Sequence, residues 1–598
     1  MPNLQMVKIF PAIGIARIGN SPEWYLGPEL PFPAPAPEPA DGKYKDNECR
    51  VRRQAQRFRL WGYFEGGSNR ELTAADGTIQ WTVHLANAKA VFQGEAGGLI
   101  DPGVRTLNGP NDTATFANGT YTYDGQVVEV PLGDANTDAD GRLIVVGGFG
   151  ASGSPTGNGL SDFWQNPGWH DDISDGPVNA TITVGGQEFT AAGAWVICPP
   201  PRFAPSTYTP STLYDSMRQV AIDQALPGTP LPAATPSFVG DIWPILARGI
   251  GMLRVDATTF GPGDHGSLST VIPPGAGQDG ARQLILDKLA NPGGTNNVGQ
   301  PNEPANMPLV NSGGPLGSDP ADISPTLRPF QYTQMSAWSA GNFVNDWPPV
   351  APTTVTPDGL TQAALENCVG APLYPGIEAT VTVHDGSLKY TEAFRLNQAG
   401  LNPGDVTRGM ARPWQADFTA CSNGGSPDEP AWWPAARPDS IYPAGSTTPA
   451  NWTRGLVTSA QDMVDNWFRL GFIVDPGDGK AVETERTAVC KDCFIITDRN
   501  EIGEEEAAAL VIANQPIADA FYVVVEGFAP SALGIMTASP SPLQLQAWAP
   551  NIVFNPLPSQ MQQLVNDMLL EDNNDLNQAQ RITFGYNISF TGTDDFNL

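Results

Sequence analysis

Long apolar runs, basic residues, cysteines and histidines are what this 598-residue chain has least of. No window holds the roughly 20 apolar residues that a bilayer-crossing helix needs, so no membrane association is expected. Met1 to Gly19 carries Lys8 and Arg17, but Pro11 and Gly14 interrupt any signal-peptide core. The expected location is the cytoplasm, or export without a recognisable signal peptide. Basic residues number 32 against 63 acidic ones, a formal charge of −31. A surface this negative repels phosphate backbones, which argues against a nucleic-acid partner.

Six cysteines are too few for a disulfide scaffold. The only CxxC, Cys490-Lys491-Asp492-Cys493, has no second ligand pair for zinc and no βαβ setting for thioredoxin chemistry. It reads as structural or as a local disulfide. Four histidines, with no paired metal-binding spacing and no GxSxG elbow, leave a hydrolase without machinery. Asn136-Thr137-Asp138-Ala139-Asp140-Gly141 imitates the start of a calcium loop. The twelfth position is Gly147 where a bidentate Glu is needed, so a hairpin turn is the better reading.

What the chain does have is turn-formers: 64 Gly and 58 Pro, with 40% hydrophobic residues and a mean hydropathy of −0.22. That composition disfavours a helical bundle and suits many short strands with long connections. The length allows about four domains of ~150 residues, or fewer and larger β-rich units. Alternating runs at residues 78–84, 126–130, 142–146 and 180–184 predict strands. Helical spacing follows at 211–225, 281–289, 331–343 and 358–368, with a long loop over 291–330. Strand-like patterns return at 520–535 and 581–590. The expected fold is α+β and β-rich, with helices concentrated in the middle and around the candidate site. A β-rich region over 1–200 precedes an α+β region over 201–598.

Two segments stand out. Arg412-Pro413-Trp414-Gln415-Ala416-Asp417-Phe418-Thr419-Ala420-Cys421 places an acid four positions before a cysteine. Downstream, Ala460, Met463, Val464, Trp467 and Leu470 recur at three and four residues, the period of one helix face. Singly, each has an ordinary reading: a core tryptophan, a buried small thiol, a capping or solvated acid. Jointly, they resemble the lysine ε-oxidase and glycine oxidase family of cysteine tryptophylquinone enzymes. The resemblance extends over Ile9–Asn20, Trp169–Pro177, Trp338–Phe343, Tyr374–Glu378 and Ala431–Pro434.

That resemblance implies a cofactor made from the chain's own side chains, with Cys421 giving the thioether sulfur and Trp467 the ortho-quinone. Trp452 and the pair Trp432-Trp433 are the competing indoles. Asp417 matches the family's acid, which takes protons during cofactor formation and later from the substrate carbon. Burial would have to raise its pKa for work near neutral pH. His384 is a second candidate catalytic residue, and a structural histidine is the competing reading. Cys368 is a further candidate for the pocket, and His170 has no assigned place. No metal is implied.

The implied reaction is oxidative deamination of a free amino acid or primary amine. Oxygen would be the acceptor, and the products an aldehyde or oxo-acid, ammonia and hydrogen peroxide. The resemblance also implies a separate flavoprotein for cofactor maturation, and a homo-oligomer. Two alternatives remain open at this point: a dehydrogenase with the same cofactor and a protein electron acceptor, or a non-catalytic β-rich binding protein.

Overall fold

The computed structural model describes residues 3–255, 266–289, 291–292, 327–370, 378–379, 388–420, 436–442, 448–454, 456–475 and 481–486. Beyond these it describes isolated strands, among them Tyr522–Val525, Leu533–Gly534, Thr583–Phe584 and Tyr586–Phe590, where strand-like patterns were expected.

Two sheets form the N-terminal part. The first has the order β1 (Leu4–Phe10), β4 (Arg53–Phe64), β12 (Leu143–Val146), β11 (Asp134–Thr137) and β8 (Thr113–Thr115). Strands β3 (Trp24–Leu26) and β5 (Asn69–Leu72) also pair with β4. The second runs β2 (Ile13–Ile15), β17 (Ala194–Cys198), β15 (Ser174–Val184), β6 (Thr78–Val83) and β7 (Arg105–Asn108), with β16 (Gln187–Thr190) beside β15. A hairpin of β9 (Thr120–Tyr123) and β10 (Gln126–Glu129) and a short pair, β13 (Ser152–Gly153) with β14 (His170–Asp171), complete it.

The period of two explains the packing. In β6, Ile79, Trp81 and Val83 point inward and sit opposite Ile182, Ala180 and Val178 of β15. With Leu143 and Val145 of β12 they fill one core between the sheets. The calcium-like segment is a hairpin turn joining β11 to β12. Asp138 accepts the amides of Asp140 and Arg142, and Gly141 takes φ +77°.

Eight helices are described: α1 (Lys89–Phe92), α2 (Leu213–Asp223), α3 (Trp243–Met252), α4 (Asp279–Lys288), α5 (Pro329–Ser339), α6 (Pro357–Glu366), α7 (Trp414–Ala420) and α8 (Ala460–Asn466). Helix α5 begins two residues before the predicted 331. Pro329 suits the first turn, where its missing N–H costs nothing, and the Gln331 side chain bonds back to the Arg328 amide. It ends ahead of Gly341, at φ +79°. Of the loop expected over 291–330, residues 293–326 lie outside the described residues, as does the CxxC at 490–493.

Two further cores join the sheets to the helices. Ala12, Ile13, Ile15, Trp195 and Ile197 pack with Leu213, Leu365 and Cys368. Ile18, Tyr44, Val51 and Ile173 pack with Phe203, Trp414, Phe418, Trp452 and Trp467. The second of these carries the candidate site. Among the described residues no helix is long and apolar enough to cross a membrane.

Leu143 is fully buried at the centre of the inter-sheet core. Leu143→Ala is expected to cost about 2–5 kcal/mol through lost burial and a residual cavity. A lowered urea midpoint at unchanged slope would show it.

Candidate active site

The site is assembled around helix α7, and every residue of its opening motif is tied down. Arg412 makes a two-pronged pair with Glu95, at 2.7 and 2.6 Å, and its carbonyl accepts from Asn166. The Trp414 amide at the start of the helix donates to Asp171 Oδ2 at 2.9 Å. A carboxylate there satisfies an amide that has no partner within the helix and favours the helix dipole. The same Asp171 oxygen accepts from Lys89 Nζ at 2.5 Å, and Lys89 also donates to the Ala411 carbonyl at 2.7 Å. Both side chains are wholly buried. At the other end, the buried Arg437 guanidinium donates to the Phe418 carbonyl. A cation there complements the negative end of the helix.

Helix α8 supplies the other half. Ser459 caps it by accepting the Asp462 amide. Met463, Trp467 and Leu470 are buried at the expected spacing. The α-helix stops at Asn466, however, and Trp467 opens a 3₁₀ turn to Arg469. Helices α7 and α8 pack on each other. The Trp414 and Trp467 rings meet edge to face at 5.4 Å, and Trp414 meets Phe418 the same way at 4.8 Å.

The loop of residues 147–151 closes over the Trp467 ring. A methyl group on Gly150 would stand 2.3 Å from Cζ2 and 2.8 Å from Cη2 of Trp467, and Gly150 takes φ +72°. Only glycine fits there. From helix α7, Gln415 holds this loop: Ser152 Oγ donates to its Oε1 at 2.7 Å, and its Nε2 reaches the Gly150 carbonyl at 3.5 Å. On the far side, Asp172 packs so close to Gly148 that a methyl group there would meet Oδ2 at 2.4 Å. Asp172 is fully buried. The Phe149, Gly150 and Ala151 amides favour its ionised form, yet neither oxygen closes a well-aligned hydrogen bond. Burial, reinforced by Asp171, pushes its pKa up to about 7.

Sequence-predicted residues fall into three groups. Asp417 (1% exposed) lies on α7 and Trp467 (3% exposed) at the end of α8, so the packed helices bring them into one buried region. Cys421 follows the last residue of α7 but, like His384, Trp432 and Trp433, lies outside the described residues. Trp452 is buried, with Nε1 committed to the Gly471 carbonyl at 2.8 Å and Arg437 near its ring face. Cys368 sits apart, in the core of residues 12–15 and 195–197, its sulfur 3.5 Å from Arg17 Nη2. Arg17 is in turn paired with Glu378 at 2.7 Å. His170 is buried beside the Tyr121 ring, and burial lowers its pKa. Sequence reasoning assigned no role to Asp171, Asp172, Lys89, Gly150 or Arg437. The first two stood in a quoted motif; nothing in the local sequence marked Lys89.

Residues 10–97 and 91–198 match the family model described as L-Lysine epsilon oxidase N-terminal, and residues 313–436 match the L-lysine epsilon oxidase C-terminal domain. The chain belongs to the L-lysine ε-oxidase family. A relative from Marinomonas mediterranea, named L-lysine 6-oxidase, is 26% identical over 536 residues, covering 70% of this chain and 71% of its own. Two crystal structures of L-Lys ε-oxidase from that organism share the fold at 22% identity. One, of a Schiff base intermediate with L-Lys, superposes at a TM-score of 0.62, covering 85% of this chain and 100% of that one. The other reaches 0.63, covering 85% and 99%. As a lysine ε-oxidase family member the chain is an amino acid oxidase, an oxidoreductase, and the family is consistent with a quinone cofactor.

An ortho-quinone needs two adjacent carbons of the indole's six-membered ring and room for two oxygens. Gly150 meets Cζ2 and Cη2 with backbone alone, so adding oxygens there would press on that backbone and on no side chain. Among the described residues no cluster of His, Cys, Asp and Glu could hold a metal ion.

Lys89→Met is expected to destabilise the fold by about 3–5 kcal/mol, because it leaves Asp171 buried without its cation. Thermal unfolding near neutral pH measures this.

Proposed function

We propose that this protein oxidises a free amino acid with cysteine tryptophylquinone formed from its own Cys421 and Trp467. The observation that carries the reading is the burial of Trp467 between α7, which bears Asp417, and the glycine loop at 147–151. The balanced reaction takes one amine, one O2 and one water to one aldehyde or oxo-acid, one ammonia and one hydrogen peroxide. When present, the quinone supplies an electron sink for the amine's C–H and N–H electrons and a route for them to oxygen.

The chain's own residues do the rest. Asp417, held on a short helix anchored at both ends by Asp171 and Arg437, is positioned to accept a proton from the substrate carbon. Trp414, Phe418 and Phe203 wall the region and exclude water from it. His384 is retained as a second proton-handling group. The net charge of −31 favours approach of a cationic amino acid, and the relative's name makes L-lysine the first substrate to try. Oxygen as acceptor, a flavoprotein for maturation and a homo-oligomer are parts of the same proposal. Cys49 is disulfide-bonded, which favours the exported alternative over a reducing cytoplasm.

Made with the host's maturation flavoprotein, the chain is expected to yield a cross-linked peptide joining the 421 and 467 regions, a quinone stain and lysine-dependent peroxide. Made alone, it should return both peptides unmodified. Untouched Cys421 and Trp467 in host-derived protein would end the reading. Asp417→Asn should lower the yield of cross-linked peptide and cut turnover per mole of cross-linked chain by about 10²–10⁴-fold, and Trp467→Phe should abolish the stain.

A further inference from the structure

Among the described residues, Asp172 is a buried acid with neither oxygen in a well-aligned hydrogen bond. Asp175, three residues on, is equally buried, with a pKa raised to about 6 by burial. Its carboxylate, however, accepts from Trp195 Nε1, the Val406 amide and the Thr407 amide and hydroxyl. Asp171 holds Lys89, Asn87 and Trp414. Asp172 is as deeply buried, but it faces only the Phe149, Gly150 and Ala151 amides, none of them in a well-aligned hydrogen bond.

Its neighbours define what it can act on. Asp171 and the Cys198 thiol are titratable groups that interact with it, and Lys89, a cation that feels its charge, is already paired to Asp171. Arg53 lies across the loop, stacked on Phe149 at 4.2 Å, bonded to the Gly147 carbonyl and paired with Asp134. What remains for Asp172 is the backbone of residues 148–151, whose other side is pressed on Trp467.

We propose that Asp172 is a positioning residue for the tryptophan-derived cofactor. Its carboxylate draws the Phe149–Ala151 amides together and so holds Gly150 at the Cζ2–Cη2 edge of Trp467. This rests on the proposed function, since it assigns a task only if that edge is modified. The physical signature is a conflict of interests. A group with its folded pKa raised above the unfolded value supports stability fully below about pH 4, and that support is gone once the pH passes about 7. Above that point an ionised Asp172 works against the fold, so an ordinary structural role would not keep it there. Removing the charge should therefore relieve the fold and harm the cofactor.

The test makes wild type, Asp172→Asn and Asp175→Asn, each with the maturation flavoprotein. It measures melting temperature at pH 5 and pH 8, the cross-linked 421–467 peptide by mass, and quinone stain per mole of folded chain. Asp172→Asn should melt at or above wild type at pH 8. Its quinone content should fall roughly tenfold, in line with the cost of a small misplacement. Asp175→Asn should melt lower, with quinone per folded chain unchanged. Wild-type quinone content in Asp172→Asn overturns the inference. So does a lowered pH 8 melting temperature or a failure of that variant to fold, either of which makes the residue merely structural. A wild-type chain with neither cross-link nor stain overturns the proposed function itself, and is read separately.

Discussion

The ion pair between Lys89 and Asp171 is the constraint on which the site's architecture hangs. Both groups are withdrawn from water completely, and their attraction offsets that cost only because each has further partners. Through those partners, a lysine from α1 and an acid from β14 fix where the chain enters α7. Seven residues later the sequence reaches Cys421. A helix of this length has little stability of its own, so its direction is imposed from outside. Asp171 and Lys89 do so at its start, Arg437 at its end, and the Arg412–Glu95 pair just before it.

Asp171 and Asp172 are adjacent in sequence but serve opposite sides of one buried region. The first organises the helix that bears Asp417; the second lies behind the loop that faces Trp467. The same loop is tied to the chain's opening segment. Gly19 donates to the Gly148 carbonyl, and Arg53 donates to that of Gly147. The N-terminal sheets therefore do more than support the helical region. They furnish one face of the candidate site, and the shared core from Ile18 to Phe472 is the material expression of that.

This arrangement explains which parts were legible in the sequence. Strands β6 and β15 announced themselves because one face of each is buried, and alternation in Ile79-Gln80-Trp81-Thr82-Val83 records that burial directly. The helices at 213–223 and 357–366 carried their spacing and N-terminal signals in full, Thr212 with Asp215 and Thr356 with Pro357. Asp417 and Trp467 were legible only through resemblance, since an acid and a tryptophan on amphipathic helices are ordinary singly. Lys89 was illegible. Its partner lies 82 residues away and its burial depends on a sheet pairing that no local pattern encodes. The change from α-helix to 3₁₀ turn at Trp467 was hidden too, because both conformations keep Met463, Trp467 and Leu470 on one side.

On the proposed function, what favours Trp467 over Trp452 is what surrounds each indole rather than how deeply it is buried. Trp452 has its ring nitrogen committed to Gly471, Arg437 near its ring and Phe203 at 4.9 Å. Adding oxygen to such a ring would displace a hydrogen-bonded or charged neighbour. Trp467 meets other aromatic rings edge to face, and towards Cζ2 and Cη2 it meets a residue with no side chain. A ring to be altered after folding needs one edge where bulk can be added without breaking a polar contact. In this region the Gly150 side of Trp467 presents backbone and no polar side-chain contact to break, so added bulk would have to be taken up by a shift of the 148–151 backbone.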